Sequence, residues 1–147
     1  MKNILLVCIF FTIVSCTENE MDKVPMSNLE KYGGIHEADV NTLVVMRREL
    51  LNELAILLSK VKNETDARGV LPDIQSLSRY STILKDRISE NEMPNLIQEN
   101  ITKSEALLLR ESIQRVSEEM VRIESDKKAQ LIIEADVMKI VQIVSNS

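Results

Sequence analysis

Residues 37–62 read EADVNTLVVMRRELLNELAILLSKVK, and their apolar side chains recur at steps of three and four residues. The stripe consists of Leu43, Met46, Leu50, Leu54, Leu57 and Val61, widened on one flank by Val44, Leu51 and Leu58. This is the period of an amphipathic helix, and its width favours packing against more than one neighbour. The opposite side carries Arg48, Glu49, Asn52 and Glu53, which we expect to face solvent.

A second helical stripe follows directly. Asn63 is placed to cap it, with Glu64 and Asp66 in the first turn, where acidic side chains are favourable. The stripe then runs through Ala67, Val70, Leu71, Ile74, Leu77, Ser81, Leu84 and Ile88. Because Gly69 and Pro72 interrupt it, the regular helix either starts near Pro72 or is kinked there. The unbroken apolar phase favours a kinked but continuous helix.

The remaining residues predict one or two further helices. NEMP at 91–94 is typical of a turn, with Pro94 suited to a first helical position. The following stripe comprises Leu96, Ile97, Ile101, Leu108, Leu109, Ile113, Val116, Met120 and Ile123. The last stripe comprises Leu131, Ile132, Ala135, Met138, Val141 and Val144. The chain either restarts at Ser125-Asp126 or runs as one rod from Pro94. We expect Met46, Met120 and Met138 to fill the core.

These patterns predict an all-α fold, because no segment alternates at period two over a sustained length. Short connections make consecutive helices antiparallel, so residues 37–147 are expected to form an up-down antiparallel bundle of three to four helices. Residues 51–88, LNELAILLSKVKNETDARGVLPDIQSLSRYSTILKDRI, resemble a pattern in small exported helical proteins of planctomycetes and verrucomicrobia. The resemblance covers about a quarter of the chain. It implies a helical fold and brings no assigned activity.

The N-terminus has the organisation of an export signal. Lys2 precedes an apolar run, Ile4–Val14, which is too short to span a bilayer because a spanning helix needs about 20 residues. Residues 1–15 are therefore predicted to be a signal peptide. The junction at 13–16, Ile-Val-Ser-Cys, resembles a bacterial lipobox. That resemblance implies cleavage before Cys16 and lipidation of its thiol, with acyl chains such as palmitate anchoring the protein to a membrane.

The alternative is a secreted protein cut after Ser15 with Cys16 left as a free thiol. A lone thiol is unfavourable in an oxidising compartment, so we favour the lipoprotein. Thr17 stands where the lipoprotein inner-membrane retention signal has Asp. The resemblance therefore implies a cell-envelope protein, at the outer membrane rather than the inner one. Residues 16–36 are polar, contain Gly33-Gly34, and are expected to form a flexible tether.

Composition excludes several classes of function. From Cys16 onward the chain has 132 residues, with 17 basic and 23 acidic side chains, no Trp, no Phe and no second cysteine. Such a chain supplies neither a basic patch for phosphates nor a stacking platform for bases, so we predict no nucleic-acid partner. Without disulfides, its stability must come from an aliphatic core.

The chain has few residues that are suited to catalysis or to metal binding. The one histidine, His36, lies beside the tether glycines. A catalytic triad needs a base within reach of a nucleophile, and a di-iron bundle needs two Glu-x-x-His pairs, which one histidine cannot supply. The carboxylate pairs Glu49-Glu53, Glu105-Glu111 and Glu118-Glu119 fall at helix-surface positions and are interpreted as solvated. The sequence therefore predicts a protein that is not an enzyme and needs no cofactor or metal.

The favoured function is a lipid-anchored, non-enzymatic helical module that binds another envelope protein through a helix face. A structural spacer of the murein-lipoprotein kind is less favoured, since the chain ends Ser-Asn-Ser rather than in a basic residue. Two alternatives remain open. One is a carrier of an apolar ligand or lipid between the helices; the other is an inhibitor or immunity lipoprotein.

Overall fold

Four helices account for most of residues 38–89 and 102–146, which are the residues that the computed structural model describes. In chain order they are α1 (Val40–Ser59), α2 (Glu64–Ser89), α3 (Lys103–Ile123) and α4 (Lys127–Asn146). No strand occurs within the described ranges. The predicted all-α bundle is confirmed, while the predicted turn at 91–94 and the apolar residues from 96 to 101 lie outside the described residues.

Side-chain caps begin the helices where the sequence changes from polar to apolar. Asp39 accepts a hydrogen bond from the Thr42 N–H at 2.7 Å, and Thr102 accepts one from Glu105 at 3.1 Å. These bonds satisfy backbone N–H groups that have no partner within the helix. Hydrogen bonding from Thr42 also lowers the pKa of Asp39.

The turn between α1 and α2 is closed by two reciprocal bonds. The Asn63 side chain accepts from the Asp66 N–H at 3.0 Å, and the Asp66 carboxylate accepts from the Lys62 N–H at 3.0 Å. The predicted capping role of Asn63 is confirmed. A turn this short brings α2 back along α1.

α2 runs unbroken from Glu64 to Ser89 and contains Pro72. Proline lacks the N–H that would reach back to the Arg68 carbonyl, which weakens the helix at this point. Both Gly69 and Pro72 are exposed, whereas Ala67, Val70 and Ile74 are buried. The helix persists because its apolar face packs continuously past the proline, so the expectation of a continuous element is confirmed.

The chain does break near residue 126. α3 ends at Ile123, and the Asp126 carboxylate accepts bonds from the Lys128 and Ala129 N–H groups, both at 3.1 Å. This cap starts α4 at Lys127. The alternative of a single rod from residue 94 is therefore wrong.

The helices alternate in direction along the chain. The Tyr80 hydroxyl of α2 lies 3.9 Å from the Met46 sulfur of α1, and Arg47 of α1 bonds the carbonyl of Val144 near the end of α4. α1 is thus antiparallel to both α2 and α4.

The most extensive packing joins helices that are not consecutive: α2 against α4, and α1 against α3. Their members run parallel, since Arg48 of α1 meets Glu105 at the start of α3, and Lys128 at the start of α4 lies near Glu64 at the start of α2. The bundle is therefore two helical hairpins, α1–α2 and α3–α4, laid face to face. Short connections predict antiparallel neighbours only, so these parallel pairs were not expected.

The core is aliphatic and centred on α1. The largest fully buried side chains come from α1, α2 and α4 and are Leu43, Met46, Leu50, Leu51, Leu54, Leu58, Ile74, Leu77, Leu84, Ile88 and Ile133. Removing this much apolar surface from water is the main favourable term for folding. α3 contributes less, with Ser112, Val116 and Ile123 as its buried residues.

The face of α4 that packs inward differs from the predicted one. Its buried residues are Ala129, Ile133, Val137, Ile140 and Val144. The prediction placed Leu131, Ala135 and Met138 in the core, but all three are exposed, Leu131 by 75% and Met138 by 57%. Both stripes have helical spacing, so periodicity alone could not choose between them.

The predicted stripe of α3 is also less buried than expected. Leu108 of α3 is 37% exposed, and Met120 is only partly buried against the core. α3 packs extensively against α1 and little against α4. Its predicted stripe is therefore only half covered.

Candidate functional site

The predicted lipidation site lies outside the part of the chain that the structure describes. Cys16 precedes residue 38, as does His36. The signal peptide at 1–15, the tether at 16–36 and the acylated cysteine accordingly remain predictions. In the described helices, no segment is long and apolar enough to cross a membrane.

The polar side of α1, expected to face solvent, is instead partly buried against α3. Arg48 donates to both carboxylate oxygens of Glu105, at 3.2 and 2.9 Å, and also to Glu49 at 3.1 Å. Both bonds to Glu105 come from the same nitrogen, Nη1, and such charge-assisted hydrogen bonds are stronger than bonds between neutral groups. The prediction of a solvated face was wrong here, because α3 lies over it.

A neutral contact continues this α1–α3 seam toward the other end of the bundle. The Ser112 hydroxyl donates to the Asn52 side-chain oxygen at 2.9 Å and lies 3.0 Å from the Leu108 carbonyl. Ser112 is 3% exposed. A buried hydroxyl needs such partners, so the pair sets how the two helices align.

Arg122 closes the seam where α1 ends. Its guanidinium donates to the carbonyls of Val61 at 2.7 Å and Leu58 at 2.8 Å, and to the Glu119 carboxylate at 2.7 Å. The last carbonyls of a helix have no partner in the helix and carry partial negative charge. α3 thus caps the C-terminus of α1.

A surface depression of about 240 Å³ lies along this seam and opens to solvent. Its lining residues are Asn52, Ala55, Ile56, Ser59, Arg115, Glu118 and Glu119. A second depression of about 220 Å³ adjoins it on α3 and shares Arg115 and Glu118. We call the two together the α1–α3 groove. Ile56 is 49% exposed and forms its apolar part.

Arg47 is the most buried charged group among the described residues, at 4% exposure. Its guanidinium donates to the Val144 carbonyl through Nε at 3.2 Å and Nη2 at 2.6 Å. Burial lowers the pKa of Arg47, but a guanidinium stays protonated in proteins. The side chain therefore holds the end of α4 against α1 and offers no acid–base chemistry.

A phenol is also held at the edge of the core. The Tyr80 hydroxyl faces the sulfur of Met46, and partial burial raises the pKa of Tyr80. At neutral pH the group stays protonated, so it acts as a hydrogen-bond donor.

Among the carboxylates singled out in the sequence, Glu49, Glu105, Glu118 and Glu119 contact other side chains, whereas Glu111 is exposed. Glu105 and Glu49 bind Arg48, Glu119 binds Arg122, and Glu118 accepts from Gln114 at 2.8 Å. Within the described ranges, no three His, Cys, Asp or Glu residues lie together as metal ligands would.

The burial of Arg47 and the alignment of α3 on α1 were not predicted from the sequence. Arg47 stands four residues after Leu43 and three before Leu50, inside the apolar stripe. The position of Arg47 within the apolar stripe was a usable signal of burial. A charged residue on a buried helix face needs a hydrogen-bonding partner. The Arg48–Glu105 pair joins residues 57 positions apart, and no local pattern reveals it.

Comparison of the chain with protein-family models, with curated proteins and with solved structures finds no match.

Proposed function

We propose that this chain is a bacterial envelope lipoprotein, anchored by lipid on Cys16, whose helical bundle acts as a non-enzymatic binding module. The observation that carries the anchor is the sequence at 13–16, where an apolar run ends in Ile-Val-Ser-Cys. Several acyl chains on one residue make membrane attachment durable, since each buried methylene contributes roughly 0.8 kcal/mol. The missing Asp after Cys16 supports the outer membrane as its location.

Metabolic labelling tests the anchor directly. Bacteria that express the full chain are grown with an alkyne-tagged palmitate, and the tag is detected on the purified protein. The label is expected on the wild type and lost in Cys16→Ser. Cys8→Ser is the matched control, because Cys8 lies in the segment that is removed and its variant must keep the label. Label that survives Cys16→Ser overturns the lipoprotein proposal.

The α1–α3 groove is the surface that supports a protein partner. Ile56 lies exposed between Asn52 and Ser59 on one side and Arg115 and Glu118 on the other. An apolar centre with a polar, charged rim is the usual composition of a protein interface. The groove is open and polar-lined, which suits a surface contact better than an enclosed apolar ligand such as the carrier function requires.

Site-specific photocrosslinking in the native envelope tests this part. A photoreactive residue at Ile56 is expected to give one discrete crosslinked species. The same residue at Gln75, which is exposed on α2, is the control and is expected to give none. Crosslinks that are equal at both positions, or absent at Ile56, contradict a partner at the groove.

A further inference from the structure

The outward face of α4 combines apolar and basic side chains and excludes acids. Its exposed residues are Lys127, Lys128, Leu131, Ala135, Met138, Lys139, Gln142 and Ser145. The two acids of α4, Glu134 and Asp136, are only partly exposed.

The apolar part of this face is a continuous strip. Leu131, Ala135 and Met138 follow each other at steps of four and three residues, so they share one side of the helix. That side lies opposite the buried one marked by Ile133 and Ile140 at 3.6 residues per turn. α4 therefore has one apolar face that the bundle covers and another that it leaves open.

Three lysines border the strip. The Lys127 amine reaches Gln130 at 3.1 Å, and the Lys128 amine is 3.9 Å from Glu64 while its side chain remains 81% exposed. Such long side chains lay their methylenes along apolar surface and keep their amines in water. Lysines beside an apolar strip are typical of helices that lie in a membrane interface.

From this geometry we infer that the outer face of α4, defined by Lys127, Leu131, Met138 and Lys139, binds the surface of an anionic bilayer. The inference deepens the proposed function, because the lipid on Cys16 would hold this face beside a membrane. Complementary charge identifies the occupant. Of the three amines only Lys128 forms an ion pair within the described ranges, with Glu64 at 3.9 Å. The amines match anionic headgroups, and the apolar strip matches the acyl region beneath those headgroups. A second copy fits less well, since it would bring lysines of like charge together.

The contact is expected to be weak without the anchor and effective with it. Each lysine near an anionic surface strengthens binding by roughly fivefold. A tether converts such a weak contact into an intramolecular one. α4 would then determine which side of the bundle faces the bilayer and leave the α1–α3 groove available to a partner.

Vesicle sedimentation tests the inference. The protein used is the mature chain that the proposed processing leaves, residues 16–147. It carries Cys16→Ser, so no acyl chain contributes to binding. The vesicles contain phosphatidylglycerol and phosphatidylcholine in equal parts, or phosphatidylcholine alone. We expect binding to the anionic vesicles and loss of that binding at high salt.

Two variants locate the contact. Lys127→Gln with Lys139→Gln is expected to weaken binding roughly tenfold or more, and Leu131→Ser with Met138→Ser is expected to weaken it as well. The matched control, Lys60→Gln with Lys85→Gln, makes the same change in net charge on exposed lysines of other elements and is expected to bind as the wild type does. Since all these positions are exposed, circular dichroism is expected to report an unchanged fold.

Three outcomes overturn the inference: no binding to anionic vesicles, equal binding to both vesicle types, or equal loss in the control. Self-association in analytical ultracentrifugation that Leu131→Ser with Met138→Ser abolishes, without vesicle binding, would assign the face to a second copy instead. The palmitate label on the full chain is a separate measurement. A failure of the lipid anchor is therefore distinguishable from a failure of the α4 contact.

Discussion

The guanidinium of Arg47 shows how one side chain joins distant parts of this molecule. It comes from the middle of the apolar stripe of α1 and reaches the Val144 carbonyl, 97 positions away. Taking a charge out of water costs several kcal/mol unless good partners replace the water. Here the partner is a carbonyl in the last turn of a helix, where negative partial charge accumulates. The residue therefore adds specificity to the docking of α4.

Arg47→Ala is expected to lower the free energy of unfolding by roughly 2 kcal/mol or more, because it leaves the Val144 carbonyl unpaired and opens a cavity. Arg47→Met keeps most of the volume and removes the buried charge, so it is expected to cost less. Urea unfolding followed by circular dichroism measures both. Arg79→Ala, at an exposed position of α2, is the control and is expected to stay within about 0.5 kcal/mol of wild type. An Arg47→Ala curve that matches the control would show that the buried bond contributes nothing.

The cap at Asp39 predicts a local dependence on pH. Because the folded pKa of Asp39 lies below the ordinary value of 3.8, its contribution is complete above that value and is lost as the pH falls through the lower folded pKa. An NMR titration of the Asp39 carboxyl is expected to have its midpoint below 3.8, with the Thr42 amide shifting in parallel. In Asp39→Asn the shift of Thr42 in this range is expected to disappear. A midpoint at or above the ordinary value would contradict the cap.

Helices of this protein depend on their packed faces more than on their intrinsic propensity. α2 contains both Gly69 and Pro72 yet runs for 26 residues. Its continuous buried face compensates for the missing bond at the proline, as expected when packing outweighs local preference. α4 has two apolar faces, and packing against the other helices decides which of them is buried.

Gly69 offers a simple way to stabilise α2. A Cβ added at this position meets nothing within 4 Å, and the site is exposed. Gly69→Ala is therefore expected to raise the free energy of unfolding by roughly 0.5–1 kcal/mol, through lower backbone entropy in the unfolded chain. The midpoint of urea unfolding should rise without a change in slope. A lower midpoint would show that α2 is not helical at residue 69.

Two substitutions in α4 distinguish its faces. Ile133→Asp buries an unpaired carboxylate and is expected to unfold the bundle. The free-energy cost of burying that charge exceeds the free energy of unfolding that is usual for a small domain. Leu131→Asp places the same group in solvent and is expected to leave the helical signal intact. Circular dichroism at 222 nm reports both results. If Leu131→Asp unfolds the bundle and Ile133→Asp does not, the face of α4 that contains Leu131 is the buried one, as periodicity indicated.

The assembled bundle places parallel helices side by side. α1 packs on α3 and α2 on α4, and these contacts exceed those between the members of the α3–α4 hairpin. The acidic and basic residues of the described ranges balance, with 15 of each, so the acidic excess of the chain resides elsewhere in the sequence. Aliphatic burial rather than net charge therefore holds the helices together.

Thiol crosslinking tests this arrangement. In a chain with Cys8 and Cys16 replaced by serine, cysteines at positions 48 and 105 are expected to react efficiently with a short bis-maleimide, because Arg48 and Glu105 are in contact. Cysteines at 48 and 122 form the control, since Arg122 lies at the opposite end of α1 near Val61. The crosslinked chain migrates faster in denaturing gels. Preferential reaction of the control pair would mean that α1 and α3 are antiparallel.

Much of the architecture was predictable because it follows from local rules. The stripes of α1 and α2, the cap at Asn63 and the restart at Asp126 all depend on residues within one or two turns of each other. The groove at Ile56 and the seam of Arg48, Asn52 and Arg122 were not predictable. Each of their contacts joins residues more than fifty positions apart, and no periodic pattern encodes such a pairing.

The sequence by itself determined that the described ranges are helical, roughly where α1, α2 and α4 begin and end, and that Cys16 follows a short apolar run. Capping and periodicity act over a few residues, so they can be recognised without neighbours. Only the tertiary structure decided which face of α4 is buried, that α1 lies parallel to α3, and that Arg47 is enclosed. Those outcomes depend on which apolar surfaces of distant segments pack against each other. That is decided only when all the helices are packed together, because each possible contact excludes others.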